Sequence, residues 1–367
     1  MRLLVTVPWG ERLGGAEAML QAILDGAKES GHQLELVFFE EGPWPRELSA
    51  SGFHVEVLAA GRLRNPLRTL STVLRLARIM RRRRPDVILN WSAKMQLYGS
   101  PAAMLAGMRD RVIWWQQVIP SDGGWLDRAA TALPAIAVGC YSRSAAQAQA
   151  RLFPSRRTFV VGAGAPVPTA GSRAPLKLPR GIAVVGLVGR LQPWKGQDRL
   201  LLAQALLRER GYPFHALIVG GDSWSLSPDY AASLPRLVDR LQLAGAVTMT
   251  GEVPDAGPYV QRMDILVNAS DPEPFGIVLL EAMARGVPVV AVDSGGPGEF
   301  IDDGHTGMLA RSGSPDALAD ALQPLLSDPG LRRAIGRAGH ESFLRDFTDV
   351  ALRRRFFASL EAVLSRS

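Results

Sequence analysis

The sequence predicts an α/β protein made of two doubly wound domains, each with a mainly parallel sheet. Short β-type runs alternate with amphipathic helical stretches from one end of the chain to the other. This alternation is typical of parallel sheets whose two faces are covered by helices. A stretch rich in Gly, Pro, Ala and Ser interrupts it near the middle, and a fresh strand–helix series begins at Ile182.

Seven β-type runs, with helices between them, fill the first half of the chain. The strands are Leu3–Val7, Leu34–Phe39, His54–Leu58, Asp86–Asn90, Val112–Trp115, Ala135–Val138 and Thr158–Val161. The helices with the clearest apolar periodicity are Ala16–Glu29, Leu67–Arg82 and Tyr98–Ala106. Trp114 and Trp115 are neighbours on one strand, so we expect one to face the core and the other the ligand-binding cleft.

The second half repeats the pattern after the stretch from Gly162 to Gly181, with strands and helices from Ile182 onward. The strands are Ile182–Val188, His215–Val219, Val247–Met249, Asp264–Val267 and Val287–Val290, and the helices include Gln197–Arg210, Asp229–Leu241, Gly276–Arg285, Pro315–Ser327 and Val350–Ser365. We predict an N-terminal domain over residues 1–165, a linker over 166–181, a C-terminal domain over 182–345 and a final helical segment over 346–367. The alternative for the linker segment is a long surface loop within one domain.

The composition excludes several classes of protein. The chain has 367 residues, of which 47% are hydrophobic and 21% charged, enough to build two buried cores. No apolar run approaches the roughly 18 residues of a membrane span, and the apolar start is too short for a secretory leader. The single cysteine, Cys140, cannot form an internal disulfide or a zinc site by itself. We therefore expect a cytoplasmic protein, and the net charge of +7 favours anionic partners.

Two carboxylates, Glu273 and Glu281, lie eight residues apart in the most polar part of the second half. Glu273 lies in the loop after the Asp264–Val267 strand, and Glu281 lies inside the helix that starts near Phe275–Gly276. The first N–H groups of that helix favour an anionic or hydroxyl-rich ligand, and ionised carboxylates accept hydrogen bonds from sugar hydroxyls. The alternative is that Glu273 is a solvated loop residue and Glu281 part of a helix face.

A second group of candidate residues is the loop Gly189–Gly196, between a strand and a helix. Its two cations, Arg190 and Lys195, suit a diphosphate, because arginine presents a planar fork of donors and lysine a point charge. The alternative is that they are ordinary surface cations. The glycine-rich turn at Gly14–Gly15, before the first helix, also permits the close approach of a phosphate.

Together these segments resemble the retaining glycosyltransferases of family 4, which have the GT-B fold of two facing Rossmann-like domains with a central cleft. The resemblance covers the whole chain and is strongest in the second half. The matching segments are GGAE at Gly14–Glu17, GRLQPWKG at Gly189–Gly196, VGGD at Val219–Asp222, TGEV at Thr250–Val253, the Glu-x7-Glu block, GGPGEFI at Gly295–Ile301 and DGHTG at Asp303–Gly307.

The resemblance implies a hexosyltransferase that moves a sugar, with retention, from a UDP- or GDP-linked donor to a glycan, lipid-linked or small-molecule acceptor in bacterial polysaccharide or glycoconjugate synthesis. The implied catalytic residues are Arg190 and Lys195, which would neutralise the leaving diphosphate, and Glu273, which would contact the donor sugar. The implied donor-binding residues are Gly14, Gly15, Gly251, Glu252, Val253, Phe275, Gly276, Ile277 and Glu281, the last of them on the ribose. The final helix would return to the first domain.

One departure from the family concerns the acceptor side. Many members carry a His after the strand that here contains Trp114 and Trp115, whereas this sequence has Gln116 and Gln117. A glutamine can hydrogen-bond a sugar hydroxyl but cannot act as a general base. We therefore predict Gln116 and Gln117 as acceptor-side contacts.

We expect no metal and no cofactor, because the sequence has no Asp-x-Asp signature between strands and a nucleotide sugar is a co-substrate. One alternative is a sugar-nucleotide epimerase or a phosphorylase on the same fold. Another is a catalytically degenerate nucleotide binder. A phosphorylase would need a lysine for pyridoxal phosphate, and none of the four lysines has a recognisable context for it.

Nine arginines and no acidic residue occur between Arg62 and Arg84. The apolar residues predicted to share one face of this helix are Leu67, Leu70, Leu74, Ala77 and Met80. One interpretation is peripheral contact with an anionic membrane, and the other is a core-facing helix with solvated arginines. Nucleic-acid binding lacks support, because no aromatic residues interleave with the arginines.

Overall fold

The computed structural model divides the chain into two compact units. It describes residues 1–12, 14–60, 65–121, 124–169, 173–222 and 225–365. Unit 1 comprises Met1–Ala163 together with the segment that begins at Asp349, and unit 2 comprises Gly164–Thr348. The segment predicted as a linker, 166–181, therefore groups with unit 2, and the final helix groups with unit 1.

Seven parallel strands form the sheet of unit 1. They are β1 (Arg2–Val7), β2 (Gln33–Phe38), β3 (His54–Val57), β4 (Val87–Asn90), β5 (Val112–Gln116), β6 (Ala137–Cys140) and β7 (Thr158–Val160). Their order is β3-β2-β1-β4-β5-β6-β7, which is the doubly wound Rossmann order with a reversal between β1 and β4.

The helices of unit 1 begin at residues that suit a helix start. They are α1 (Gly15–Glu29), α2 (Pro43–Ala50), α3 (Pro66–Arg83), α4 (Ala93–Ala106), α5 (Trp125–Ala132), α6 (Arg143–Leu152) and α13 (Asp349–Leu364). The Ser92 hydroxyl accepts the N–H of Met95 and caps α4, so this helix begins five residues before the predicted Tyr98.

Trp114 and Trp115 are both buried, so the prediction that one of them faces a cleft is wrong. Trp114 packs in a cluster with Val138, while the Trp115 ring stacks on Trp91 at 5.3 Å between centroids. β5 lies inside the sheet and both of its faces are covered. Alternate side chains of such a strand enter two different cores, and neither enters solvent.

The predicted apolar face of α3 is wrong in its N-terminal half. The helix packs on the sheet through Val73, Leu76, Ala77 and Met80, at the i, i+3, i+4, i+7 spacing of one stripe. Leu67, Leu70 and Leu74 follow a different stripe and are exposed. The helix therefore has two apolar stripes, and periodicity alone cannot say which one meets the core. Arg62 and Arg64 lie outside the described residues.

The last helix, α13, completes the core of unit 1. It packs against α1, and Arg353 forms an ion pair with Glu29 at 2.7 Å. Phe356 lies 5.7 Å from the Trp115 ring, measured between centroids, and is almost fully buried. The Arg355 guanidinium donates to the carbonyl of Ala163 at 3.1 Å. Residues about 200 positions apart in sequence therefore share one core.

Unit 2 has a six-stranded parallel sheet. Its strands are β8 (Val184–Val188), β9 (His215–Val219), β10 (Val247–Met249), β11 (Ile265–Asn268), β12 (Val289–Val292) and β13 (Met308–Ala310), in the order β10-β9-β8-β11-β12-β13. Its helices are α7 (Gln197–Glu209), α8 (Pro228–Arg240), α9 (Gly257–Val260), α10 (Ile277–Met283), α11 (Pro315–Ser327) and α12 (Pro329–Asp346).

The Rossmann-like architecture predicted for the two halves is confirmed. In unit 2 one main cluster of the core joins strand residues such as Val185 and Val267 to helix residues such as Leu200 and Leu318. Within the described ranges, no helix combines the length and the apolar character needed to cross a membrane.

Candidate active site

Most of the predicted site residues lie in unit 2, in loops at the carboxyl ends of its strands. β8 pairs with β9 on one side and with β11 on the other, so the strand order reverses at β8. The loops that follow β8 and β11 leave neighbouring strands at the same edge of the sheet. Ligands of open α/β sheets bind at such a reversal, beyond the carboxyl ends of the strands.

The loop after β8 is held in place from both ends. Gly196 has a φ of 72°, and a Cβ on it would lie 2.5 Å from the Ala269 carbonyl oxygen, so the loop can meet the β11 loop only with glycine here. The fully buried Gln197 donates from its side chain to the Arg190 carbonyl at 2.9 Å, and Tyr230 donates to Gln197. No local pattern in the sequence predicts this role of Gln197.

Lys195 and Glu273 form a buried ion pair at the centre of the site. The Lys195 Nζ lies 3.0 Å from the Glu273 Oε2, and Asn268 donates to the same oxygen at 3.2 Å. Burial alone would raise the pKa of Glu273, but the charge of Lys195 and hydrogen bonds from Lys195, Asn268 and Ser270 lower it below its usual value. Glu273 is therefore ionised at neutral pH.

An aromatic ring also contacts the lysine. The Lys195 Nζ lies 3.9 Å from the centroid of the Trp194 ring, within the range of a cation–π interaction. The Trp194 indole N–H donates to the Gln192 side chain at 2.8 Å, and the Trp194 carbonyl accepts the N–H of Asp271. Trp194 thereby joins the β8 loop to the β11 loop.

The glycine-rich segment after β12 fixes the backbone of Glu273. The N–H of Glu273 donates to the Ser294 carbonyl at 3.0 Å, and the N–H of Gly296 donates to the Glu273 carbonyl at 2.8 Å. A Cβ on Gly296 would lie 2.5 Å from the Phe275 Cα, so no larger residue fits. The segment GGPGEFI thus has a structural task, which is to clamp the loop that carries the carboxylate.

The helix predicted to start near Phe275–Gly276 is α10, which begins at Ile277. Gly276 precedes it with a φ of 93°, and no side chain caps the helix. A Cβ on Gly276 would lie 2.7 Å from the Leu279 side chain. The first turn of α10 therefore begins four residues after Glu273, close to the predicted helix start.

Glu281 lies about one turn after the start of α10, and the pKa of its carboxyl is raised. Burial raises the pKa of this carboxyl to about 7, although Arg285 acts to lower it and Asp255 to raise it further. The Arg285 guanidinium also donates to the Glu281 carbonyl at 2.8 Å. A carboxyl with a pKa near 7 changes charge within the physiological range.

Glycines connect the loops after β8, β9 and β10. The N–H of Gly220 donates to the Gly251 carbonyl at 3.1 Å, and a Cβ on Gly220 would lie 2.1 Å from the Gly189 carbonyl oxygen. Gly251 has a φ of 71° and open space beside its Cα. It is exposed together with Glu252, and Val253 is half-buried. These three residues therefore lie at the same edge of the sheet as the ion pair.

The remaining predicted residues lie in unit 1. Gly14 precedes α1 in extended backbone and Gly15 is its first residue, with no side-chain cap. Gln116 is buried and donates to Asp127 at 2.9 Å and to Gln149 at 3.1 Å. The half-buried Gln117 donates to the Trp91 carbonyl at 2.6 Å. Both glutamines bond within unit 1, and their contact with an acceptor stays a prediction.

The part of the chain that the structure describes contains no candidate metal site. No cluster of three or more His, Cys, Asp or Glu side chains there could hold an ion. The expectation that the chemistry needs no metal stays a prediction, to be tested with a chelator.

Two family models match the chain. Residues 171–342 match the model described as glycosyl transferases group 1, and residues 14–158 match the glycosyl transferase 4-like domain. The two matches fall in the two Rossmann-like halves.

Individual proteins that resemble the chain include two glycosyltransferases and one solved structure. The lipopolysaccharide core biosynthesis glycosyltransferase LpsE of Rhizobium meliloti is 26% identical over 347 residues, which is 92% of this chain and 93% of LpsE. The D-inositol 3-phosphate glycosyltransferase of Corynebacterium urealyticum is 39% identical over 171 residues, which is 46% of this chain and 40% of that enzyme. The crystal structure of Anabaena HepE in complex with UDP and glucose matches with a TM-score of 0.84 at 25% identity, over 98% of this chain and 99% of HepE.

Proposed function

The chain belongs to the group 1 glycosyltransferases of family 4 with the GT-B fold, and from that premise we propose that it is a retaining hexosyltransferase with a UDP-linked donor. The observation that carries the proposal is the buried pair of Lys195 and Glu273 at the strand-order reversal of unit 2. Its cation suits the donor's diphosphate, and its carboxylate suits the hydroxyls of the donor sugar.

The pair also suggests how the donor would engage. In this structure the Lys195 ammonium is bound to Glu273. An arriving diphosphate competes for that ammonium, and the carboxylate is then free to accept hydrogen bonds from the sugar. Arg190, on the same loop, adds a second cation to the diphosphate. The site is thus charge-balanced before the donor binds and charge-complementary to the donor afterwards.

During transfer the bond between the anomeric carbon and the diphosphate oxygen breaks, and a bond to the acceptor oxygen forms on the same face. Arg190 and Lys195 stabilise the charge that develops on the departing diphosphate by preorganised electrostatics. The acceptor proton passes to a phosphate oxygen of the leaving group. This route needs no side-chain base, which fits the predicted acceptor-side residues Gln116 and Gln117, since glutamine cannot act as a general base.

The uracil base is proposed because HepE, which matches almost the whole chain, was crystallised with UDP and with UDP-glucose. We expect UDP to raise the melting temperature more than GDP, dTDP or ADP at equal concentration. A ligand at 100 times its Kd adds about 2.7 kcal/mol to the free energy of unfolding. The Glu281→Ala variant should lose most of the shift. An equal response to all four nucleotides would contradict the choice of base.

A transfer assay with labelled UDP-hexose tests the reaction itself. Release of UDP together with a glycosylated product of retained configuration supports the proposal. Conversion of the donor into another nucleotide sugar would indicate an epimerase, and release of a sugar 1-phosphate a phosphorylase. Binding of the donor with no turnover would identify a degenerate binder.

Trp194 should support the catalytic lysine. We expect Trp194→Leu to slow transfer about fivefold, because a cation–π interaction of about 1 kcal/mol no longer holds the Lys195 ammonium. Trp194→Tyr keeps an aromatic face and should retain most of the rate. The measurement is kcat at saturating donor, with the melting temperature of each variant as the control for folding. Equal rates in the two variants would rule out this role.

The acceptor is proposed to be a glycan, a lipid-linked glycan or a small molecule, in line with the lipopolysaccharide core synthesis named for LpsE. A peripheral location at the cytoplasmic face of an anionic membrane is part of the proposal. It is supported by the six arginines of α3, a helix without acidic residues.

A further inference from the structure

Unit 1 exposes large apolar side chains in the N-terminal halves of two of its helices. On α3 the exposed fractions are 79% for Leu67, 54% for Leu70 and 40% for Leu74, and Trp125 at the start of α5 is 68% exposed. The three leucines follow one another at i, i+3 and i+7, so they form a continuous stripe on the helix. This leucine stripe points away from the core, which α3 meets through Val73, Leu76, Ala77 and Met80.

Both features lie toward one edge of the sheet. In a doubly wound fold each helix runs antiparallel to the strands, so α3 and α5 begin at the carboxyl edge and end at the amino edge. α4 packs against both helices, which places all three on one face of the sheet. With helix spacings of 8–10 Å, the leucine stripe and Trp125 lie about 20 Å apart. Two apolar anchors therefore flank the edge where a ligand of unit 1 would bind.

The charge on the helices that carry the two anchors is predominantly positive. Together α3, α4 and α5 carry eight cations and one acidic residue, Asp127, which accepts a hydrogen bond from Gln116. Arg82 and Arg83 are paired with Glu56 and Glu35. Nearer to the anchors, Arg75 and Arg78 follow Leu74 and are exposed, and Arg128 lies one turn after Trp125.

We propose that the leucine stripe and Trp125 insert together into the interface of an anionic membrane, and that the acceptor is therefore lipid-linked. Leucine beside arginine on one helix surface is the pattern of interfacial helices, and tryptophan favours the headgroup region. The surrounding cations select anionic lipid, since α3, α4 and α5 together carry a single acidic residue. The part of the proposal that concerns the acceptor rests on the proposed glycosyltransferase activity.

Vesicle co-sedimentation tests the docking surface. The full chain should bind vesicles of phosphatidylglycerol and phosphatidylcholine but not of phosphatidylcholine alone. The triple variant Leu67→Gln, Leu70→Gln, Leu74→Gln should bind about tenfold more weakly, with an unchanged melting temperature because these side chains are exposed. The matched control replaces three exposed apolar residues elsewhere, Leu226→Gln, Leu344→Gln and Val350→Gln, and should bind like the wild type. Equal binding by both triple variants would overturn the proposal.

Fluorescence locates the second anchor. Lipids brominated on the acyl chain should quench part of the tryptophan emission, and Trp125→Phe should abolish that quenching. Trp44, Trp91, Trp114 and Trp115 are buried and serve as internal references that lipid does not reach. Quenching that persists in Trp125→Phe would overturn its insertion. A dimer in solution that the leucine variant dissociates, without vesicle binding, would assign the surface to a second copy of the chain instead.

Product extraction tests the class of acceptor. With membranes and labelled UDP-hexose, the label should enter the organic phase, and the leucine variant should lose this transfer while still binding UDP. UDP binding and transfer to water-soluble acceptors without vesicle binding would refute the inference and leave the proposed function standing. Vesicle binding without nucleotide binding would support the membrane surface and contradict the proposed function.

Discussion

Replacing Lys195 by alanine should lower kcat about a hundredfold to a thousandfold, with a smaller change in KM. The ammonium faces the leaving diphosphate in the proposed reaction, and loss of one preorganised donor at a developing charge costs about 2.7–4 kcal/mol of transition-state stabilisation. Lys195→Arg keeps the charge and should recover part of the rate. The measurement is steady-state transfer from labelled UDP-hexose, with Arg190→Ala expected to behave in the same way.

The same substitution also removes the partner of a buried carboxylate, so folding needs its own control. Breaking a buried ion pair from one side costs about 3–5 kcal/mol of stability. The pKa of Glu273 should rise in Lys195→Ala, because the cation that lowers it is gone. Rates are therefore compared well below each melting temperature, beside Arg180→Ala, an exposed arginine of unit 2. A folded Lys195→Ala enzyme with wild-type kcat would disprove the assignment.

Donor affinity should increase about tenfold between pH 6 and pH 8, the range in which Glu281 ionises. The folded protein raises the pKa of this carboxyl to about 7, and only the ionised form accepts hydrogen bonds from both ribose hydroxyls. Each pH unit below the pKa costs about 1.4 kcal/mol to ionise the group. UDP-glucose is the best ligand for calorimetry, because its diphosphate diester keeps the same charge between pH 6 and pH 8. Glu281→Gln should bind weakly and show no such slope.

Stability should respond to pH in the opposite direction. In the unfolded chain Glu281 loses its proton near pH 4.5, and in the folded protein near pH 7. The unfolded state is thus the first to ionise, and the free energy of unfolding falls as pH rises through this interval, by about 3 kcal/mol at most. Glu281→Gln should therefore melt at a higher temperature than the wild type at pH 8, and the difference should shrink at pH 5.5. A variant that melts lower at pH 8 would contradict the raised pKa.

Local patterns predicted where the site residues lie, but not how they pair. The loop of Arg190 and Lys195, and the helix start at Gly276, could be read from short motifs. Lys195 and Glu273 are 78 positions apart, so their ion pair depends on β8 and β11 being neighbours, which no local pattern encodes. The hydrogen bonds of Asn268 and Ser270 to Glu273 were not predicted, for the same reason. Their roles become visible only when two loops meet.

Burial was the harder quantity to predict. Trp114 and Trp115 differ in direction but not in exposure, because helices cover both faces of the strand that carries them. On α3 two apolar stripes could each have faced the core, and the stripe with more leucines is the one that is exposed. Hydrophobic periodicity identifies the faces of a helix, whereas the packing of α4 and the sheet decides which face is covered.

The discontinuous build of unit 1 sets an order of events during synthesis. Unit 2 is one uninterrupted segment, Gly164–Thr348, whereas the segment that completes unit 1 begins only at Asp349. The first 163 residues are synthesised long before Phe356, whose ring contacts that of Trp115 in the folded protein. Domains usually mature from the N-terminus onward. Here unit 1 cannot be completed until unit 2 has been translated, and for all of that time the aromatic residues around Trp115 lack their contact with Phe356.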